Sequence, residues 1–500
     1  MSSPAKVHVR LEPRGLVLEV PRGAELSDPL AALGVELPCG GRGECGGCRV
    51  RVLEGQVPAT PDDLEVLGRE RVAAGWRLAC RAAATDVVLE VEEWRHPILG
   101  DETAFPFTPR DGLGIAVDVG TTTVVAQLVD LASGAVLGVE AALNAQARHG
   151  SDLMSRVEAA IAGAPLGEAV RRQVGGLVEA LLSQGSAGRG PLVRVVLVGN
   201  TAMHHLFGGL DVAPLAAYPF ETPRPGSLSW QGRELGWDRA GGAEVVFLPC
   251  LGGFVGSDVL AGVRATSLDR AERPSALLDL GTNGEIVVGT AERLHCASAA
   301  AGPAFEGARI SCGMRAAPGA ITAVDVVDGR LAPRVLGGGA ARGICGSGLV
   351  DAVARGLETG RIEPSGRLAG GRAALEVGGG VTLTQRDVRE LQLAKGALAV
   401  GLRLLASRAG VLPGGLARLS LAGAFGNFVG REGARRIGLF ETPLDRVAAA
   451  GNAALLGAKL ALFDDDVEQE KLRRRVVHVP LASEPGFADA FAEAMVFPEQ

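Results

Sequence analysis

Four cysteines, Cys39, Cys45, Cys48 and Cys80, fall in the first sixth of a 500-residue sequence, within PCGGRGECGGCRVRV and GWRLACR. A C-x5-C-x2-C run followed by one distant cysteine lets a glycine-rich loop wrap three thiolates around one centre while a later segment supplies the fourth. Four thiolates also suit tetrahedral zinc, but structural zinc usually draws on two CxxC knuckles, and only Cys45 and Cys48 form one. Gly40, Gly41, Gly43, Gly46 and Gly47 leave the loop nearly free of Cβ atoms, so backbone N–H groups can approach the inorganic sulfurs of a cluster. The pattern favours a [2Fe–2S] cluster with Cys39, Cys45, Cys48 and Cys80 as metal ligands, and with it one-electron chemistry.

The flanking residues agree. KVHVRLEPRGLVLEV alternates apolar and polar positions across a Pro-Arg-Gly turn, as a hairpin does, and SDPLAALG offers a short helix capped by Ser27 or Asp28. With a closing strand near VVLEVEEW, residues 1–92 read as a β-grasp ferredoxin domain. The five residues between the first two cysteines resemble adrenodoxin-type ferredoxins more than the plant type, which has four.

Five hundred residues exceed one ordinary domain, and about three are expected. A 47% hydrophobic content supplies ample core, and a net charge of −7 argues against nucleic acid as a partner, for which a basic face is expected. No apolar run reaches a membrane span and MSSPAKVHVR has no apolar signal core, so the expectation is a cytoplasmic protein with no membrane partner. Cys250, Cys296, Cys312 and Cys345 have no metal-like spacing and read as small buried hydrophobes. Residues 93–111 are proline-punctuated, lack periodicity and read as a linker.

Beyond it, GLGIAVDVGTTTVVAQLVDLASGAVLG runs as an apolar strand, Asp118, Gly120, Thr121, Thr122 and Thr123, a second strand, a turn at Ser133-Gly134 and a third strand. SALLDLGTNGEIVVGT repeats this grammar with Asp279, Gly281, Thr282, Asn283 and Glu285, 161 positions later. A glycine-tipped strand-turn-strand loop presents N–H groups and hydroxyls to phosphate oxygens, and an aspartate at its mouth can hold Mg2+ through water. Two such loops imply an internally duplicated fold, lobes 112–270 and 271–500, that grips a triphosphate from both sides. A third element, ARLSLAGAFGNFVG, ends a strand in Gly423, Ala424, Phe425 and Gly426, where bare backbone can lie against an adenine and ribose.

DVGTTT, DLGTNGE and LAGAFG resemble the two phosphate motifs and the adenosine motif of the actin-like ATPase superfamily (ASKHA, ribonuclease-H-like). Joined to an N-terminal [2Fe–2S] domain, they resemble the reductive activators of corrinoid proteins, as do LNAQARHGSDLMSRV, VGNTAMHHLFGG, FLPCLGGFVGSDVLAG, GPAFEGARISCGM, GICGSGLVDAV and RDVRELQLAKGA. The resemblance spans essentially the whole chain. It implies an α/β and α+β multidomain protein that couples ATP to one-electron reduction of a Co(II) corrinoid to Co(I) in a methyltransferase system. It further implies ATP and Mg2+ beside the cluster, Asp118 and Asp279 as catalytic residues, a corrinoid-binding protein and an electron donor as partners, and leaves a homodimer open. A small-molecule kinase with a regulatory cluster and an ATP-binding redox sensor are the rival readings.

Among isolated candidates, His204 and His205 invite comparison with cobalt ligands, but a surface turn or packed pair is expected. Glu306 and Ser347 border either the nucleotide, a partner surface or plain turns. Lys395 reads as a solvated charge on an amphipathic helix.

Overall fold

The computed structural model describes residues 5–12, 16–31, 43, 48–91, 103, 105–150, 152–185, 190–281 and 283–499. They divide into two compact units, one of 1–97 with 121–123 and 143–173, the other holding the remaining residues.

The first unit contains one five-stranded sheet: β1 (Lys6–Glu12), β2 (Leu16–Pro21), β3 (Arg49–Gly55), β4 (Trp76–Leu78) and β5 (Val87–Glu90), in the order β2-β1-β5-β3-β4. β1 pairs antiparallel with β2 and parallel with β5, the β-grasp arrangement. Val7, Val9 and Leu11 alternate inward along β1 and meet Leu26, Val50, Leu78 and Leu89, each such buried side chain contributing about 1.5–3 kcal/mol. A short helix α1 (Ser27–Ala31) precedes the cysteine loop. Helix α2 (Pro61–Ala73) was not foreseen, although Thr60-Pro61-Asp62-Asp63 is a capping box before a proline at the helix start: Thr60 Oγ1 accepts from Asp63 N while Asp63 Oδ2 accepts from Thr60 N. The other Asp63 oxygen accepts from Leu78 N at 2.7 Å, so the same carboxylate pins β4 to the helix. Helix α3 (Leu153–Ile161) also belongs to this unit.

The second unit is built on two six-stranded sheets. The first comprises β6 (Leu113–Val119), β7 (Thr123–Asp130), β8 (Val136–Leu143), β9 (Leu192–Gly199), β10 (Leu228–Gln231) and β11 (Glu244–Phe247), ordered β10-β11-β9-β6-β7-β8. β12 (Ser275–Leu280), β13 (Gly284–Gly289) and β14 (Leu294–Ala299) open the second. A three-stranded sheet of β15 (Ala320–Val327), β16 (Arg330–Val335) and β17 (Gly343–Ile344) and a hairpin of β18 (Ala374–Gly378) and β19 (Val381–Thr384) intervene. β20 (Leu419–Ala422), β21 (Val447–Ala449) and β22 (Val476–His478) then complete the order β21-β20-β12-β13-β14-β22. In each large sheet a central strand pairs antiparallel on one side, β6 with β7 and β12 with β13, and parallel on the other, β6 with β9 and β12 with β20. The repeated Asp-x-Gly-Thr segments thus sit at equivalent positions of duplicated sheets.

Fourteen helices are seen among the described residues; beyond α1–α3 they are α4 (Leu166–Gly185), α5 (Thr201–Gly208), α6 (Ala213–Ala216), α7 (Ser257–Ala265), α8 (Gly346–Glu358), α9 (Gln385–Arg408), α10 (Gly423–Phe428), α11 (Arg431–Arg436), α12 (Ala453–Ala461), α13 (Asp466–Arg475) and α14 (Phe487–Met495). Helix α12, though C-terminal to the second sheet's core strands, packs through Ala454, Leu455 and Ala458, with its C-cap Leu462, onto Ala116, Val196 and Val198 of the first sheet. Glycines allow the closest approach: Gly457 lies against the backbone of Ala261 in α7, leaving no room for a Cβ. Within the expected linker, Phe105 and Phe107 dock on Phe463 with ring centroids 5.6 and 4.6 Å apart, so its final segment is anchored by apolar burial. No helix among the described residues is long and apolar enough to cross a membrane.

Lys395 departs from the sequence expectation. Helix α9 is covered by α14 and the chain end, leaving Lys395 1% exposed, with Nζ donating to Val496 O at 2.7 Å and lying 5.1 Å from the Phe497 ring centre. Its apolar stem shares the buried face with Leu391 and Leu398, and the ammonium is satisfied by the carbonyl and the ring rather than by water.

Candidate functional site

Cys48 enters β3 and Cys80 occupies a single 3-10 turn, Ala79–Arg81, after β4. Arg49 pairs with Leu78 across the two strands, and Ala79 N donates to Cys48 O at 2.9 Å, which sets the cysteines side by side. Their buried sulfurs are 3.3 Å apart, well beyond the roughly 2.05 Å of an S–S bond. Two adjacent thiols in an apolar setting, not joined by a disulfide, fit two ligands of one iron. Cys39 and Cys45 lie outside the described residues.

The second site forms at the carboxyl ends of the two central strands of the second unit. Asp118 is the penultimate residue of β6, and Asp279 that of β12. Asp279 stands opposite Glu285 in the β12–β13 hairpin, whose turn is closed by Gly281 N donating to Asn283 O at 3.0 Å. Thr282 lies outside the described residues. In the first hairpin Gly120, Thr121 and Thr122 make the connection, Thr123 begins β7, and Thr122 O accepts from Asn144 N at 2.8 Å. Beside Asp279, on the parallel neighbour β20, the chain turns into α10 at Gly423 with φ +78°. A Cβ there would sit 2.5 Å from Asp279 Oδ1 and 2.6 Å from Leu280 O, so only glycine lets α10 start against the carboxylate. Gly426 packs behind it on Leu421 and Leu280. The Phe425 ring turns into the core and stacks on Phe305, centroids 4.5 Å apart, leaving its backbone as the part at the site.

Two further residues complete the arrangement. Ser257 Oγ donates to Gly199 O at 3.1 Å, binding the start of α7 to the end of β9 beside β6, and Asp258 follows in its first turn. Asn452, the N-cap of α12, accepts from Leu455 N through Oδ1 and donates through Nδ2 to Asp118 Oδ2 at 3.2 Å. Burial pushes the Asp118 carboxyl up to about 7, with Asp258 and Asp279 acting in the same direction and Asn452 opposing. Burial raises Asp279 to about 7, aided by Asp258, and raises Asp258 to about 6. Glu285 is held well above the carboxylate range by burial, then by Asp258 and Asp279, against a hydrogen bond from Ser298. All four retain partial solvent access, so they line a recess rather than a sealed core. Every side-chain charge seen to act on them is another carboxylate, a surplus that suits a hard cation. No three of the described acidic, histidine or cysteine side chains converge as a direct metal cage, so such an ion would be held largely through water.

Residues 9–85 match the 2Fe-2S iron-sulfur cluster binding domain, 113–271 the RACo middle region, and 273–500 the C-terminal domain of RACo, the ASKHA domain. The corrinoid activation enzyme RamQ of Eubacterium limosum is 32% identical over 448 residues, 82% of this chain and 75% of that protein. The chain belongs to the reductive activators of corrinoid proteins. The [Co(II) methylated amine-specific corrinoid protein] reductase of Methanosarcina barkeri is 28% identical over 75% of both proteins. A solved reductive activator for corrinoid, iron-sulfur protein superposes with TM-score 0.67 at 25% identity, covering 99% of this chain and 98% of that one.

In this activator the remaining candidates make their hydrogen bonds and contacts apart from the paired aspartates. His204 and His205 are fully buried: His204 Nε2 lies 3.0 Å from Gly226 O, His205 Nδ1 2.9 Å from Thr201 O and His205 Nε2 2.8 Å from Thr222 Oγ1. Burial takes His204 down to about 4, so the pair is packed and neutral. Ser347 donates to Thr322 O at 2.8 Å at the start of α8, and Glu306 sits in a short 3-10 turn. Cys250, Cys296 and Cys345 are buried and Cys312 half-buried. Asp258 and Asn452 are the site residues the sequence reading missed. A glycine-serine pair ahead of an apolar helix, and an asparagine ahead of another, signalled helix starts but not which strand end each would meet.

Proposed function

We propose that the chain is an ATP-hydrolysing electron-transfer enzyme that delivers one electron to a Co(II) corrinoid protein and regenerates Co(I) for methyl transfer. What carries the reading is one chain that joins a cysteine-paired cluster domain to duplicated sheets whose hairpin aspartates, Asp118 and Asp279, share one electronegative recess. A [2Fe–2S] cluster on Cys39, Cys45, Cys48 and Cys80 would supply the one-electron donor, at roughly −400 mV for plant-type centres.

The chain's own residues would do the rest. Gly120, Thr121 and Thr122 in one hairpin and Gly281, Thr282 and Asn283 in the other would direct backbone N–H and hydroxyl groups at the triphosphate, with Thr123 and Glu285 at the strand starts behind them. Asp118 and Asp279 would orient a hydrated Mg2+, and the backbone at Gly423, Phe425 and Gly426 would lie along adenine and ribose. Nucleotide can favour electron transfer only by binding one conformation better than another, so closure of the two sheets must alter affinity for the Co(II) partner or its coordination. The domains would fall at 1–92, 112–270 and 271–500, around a linker at 93–111. A cytoplasmic setting fits the composition, and an electron donor completes the set of partners.

The test is a cobalt spectrum followed with cluster-reduced protein and a Co(II) corrinoid protein, with and without MgATP. Much faster Co(I) formation with MgATP supports the proposal; equal rates would leave a ferredoxin fused to an idle ATPase. Phosphoryl transfer to a metabolite would favour a kinase instead.

A further inference from the structure

Arg81 directly follows Cys80, and its Nε lies 2.6 Å from Asp62 Oδ2, in the first turn of α2. The pair rests on Gly43, at φ +79° in the cysteine loop: a Cβ there would be 2.5 Å from Arg81 Nε, 2.8 Å from Asp62 Oδ2 and 3.1 Å from Arg81 Nη2. Loop, ligand-bearing turn and helix therefore meet at one ion pair. Its side chains are 37% and 41% exposed, so solvent screening makes it a weak stabilising contact. Neighbouring Asp63 already serves the helix cap and Leu78 N, so Asp62 is not needed for either. What the pair's position does control is charge beside Cys80. A cation near a cluster favours the reduced form, which carries one more negative charge, and an anion opposes it.

We propose that Arg81 and Asp62 form a charge-balanced clamp on Gly43 that sets the reduction potential of the cluster. Both are positioning residues, acting through the loop and the Cys80 turn. The proposal rests on Cys80 being a ligand, which iron analysis of Cys80→Ala tests separately: a normal cluster there would sink the ligand assignment rather than the charge argument alone.

The experiment is an EPR-monitored redox titration of the intact, cluster-loaded chain. Arg81→Gln should lower the potential by removing a positive charge beside Cys80, Asp62→Asn should raise it by removing a negative one, and the double variant, which restores the net charge, should return close to wild type. Arg81→Lys, which keeps the charge, should stay near wild type. Shifts of the same sign in both single variants, or none in either, would overturn the proposal. If the single variants fail to hold a cluster, recovery in the double variant supports charge balance, and failure there too reduces the pair to a folding contact and overturns it.

Discussion

Asn452 reaches Asp118 across 334 residues of sequence, donating from Nδ2 to Oδ2 at 3.2 Å, and the same side chain caps the helix that ties the second sheet's chain to the first. Among the described residues the amide is the donor to Asp118 that opposes its raised affinity for a proton. Asn452→Ala should therefore move the acid limb of MgATP binding to higher pH, with a separate loss of about 1 kcal/mol in stability from the missing cap. Nucleotide titrations between pH 6 and 8 would show it; an unchanged limb would mean that Asp118 does not govern binding. Asp118→Ala itself should abolish ATP-dependent turnover while leaving the cluster spectrum intact.

Asp118, Asp258 and Asp279 bind protons more tightly in the fold than as free carboxylates, near 4. Between about pH 4 and 7 the folded state thus holds more protons than the unfolded state, so these groups make stability fall as pH rises through that window. Above it the cost of burying their charges is fully present, and after it the repulsion of Asp118 and Asp279 by their neighbours. Asp279→Asn should stabilise nucleotide-free protein at pH 8 by on the order of 1 kcal/mol after solvent screening, raising its melting temperature, and lose the gain at pH 4. It should also abolish ATP-dependent activity. A lower melting temperature at pH 8 would count against the crowded-carboxylate account.

Alanine at Cys39, Cys45, Cys48 or Cys80 should remove the cluster, whereas serine at Cys250 or Cys296 should not. Burial raises the latter thiols' affinity for their protons, Cys250 up to about 12, which makes them poor ligands and nucleophiles. Iron and sulfide content of each variant decides between the two groups.

The parts legible in the sequence were those where one residue's chemistry dictates its own backbone. The hairpin glycines and strand alternation in Lys6–Glu12 belong to this class, and the structure forms the β-grasp sheet and duplicated hairpins accordingly, while the cysteine spacing falls largely outside the described residues. What was illegible depends on contacts distant in sequence. Asp258 reads as an ordinary helix-start acid until Ser257 is seen bonded to Gly199, and Lys395 reads as solvated until Val496 and Phe497 close over it. Phe425 belongs to an adenosine-like motif, yet its ring is claimed by Phe305 because apolar burial outweighs exposing it.

Burial brings Lys395 down to about 7, with Arg403 adding to the effect. From about pH 7 to 10 the unfolded chain keeps this proton while the fold releases it, so Lys395 makes stability rise with pH across that range. Lys395→Met, similar in length and without charge, should lose that rise. Denaturant melts at pH 6 and pH 9 should show the variant gaining on wild type at the lower pH, and a pH-independent difference would contradict the assignment.

The last prediction concerns coupling. If nucleotide alters affinity for the Co(II) partner, the partner must alter affinity for nucleotide by the same factor, because both complete one thermodynamic cycle. A tenfold effect corresponds to about 1.4 kcal/mol and is measurable from either side. Nucleotide titrations with and without Co(II) corrinoid protein should give the same factor as partner titrations with and without a non-hydrolysable ATP analogue. Asp279→Ala should reduce the factor to one while leaving cluster content unchanged, since its defect lies in the recess and not in the cysteine domain. Equal nucleotide affinity in the presence and absence of the Co(II) partner, in a preparation whose cluster is intact, would mean that the recess between the duplicated sheets and the partner surface are not linked.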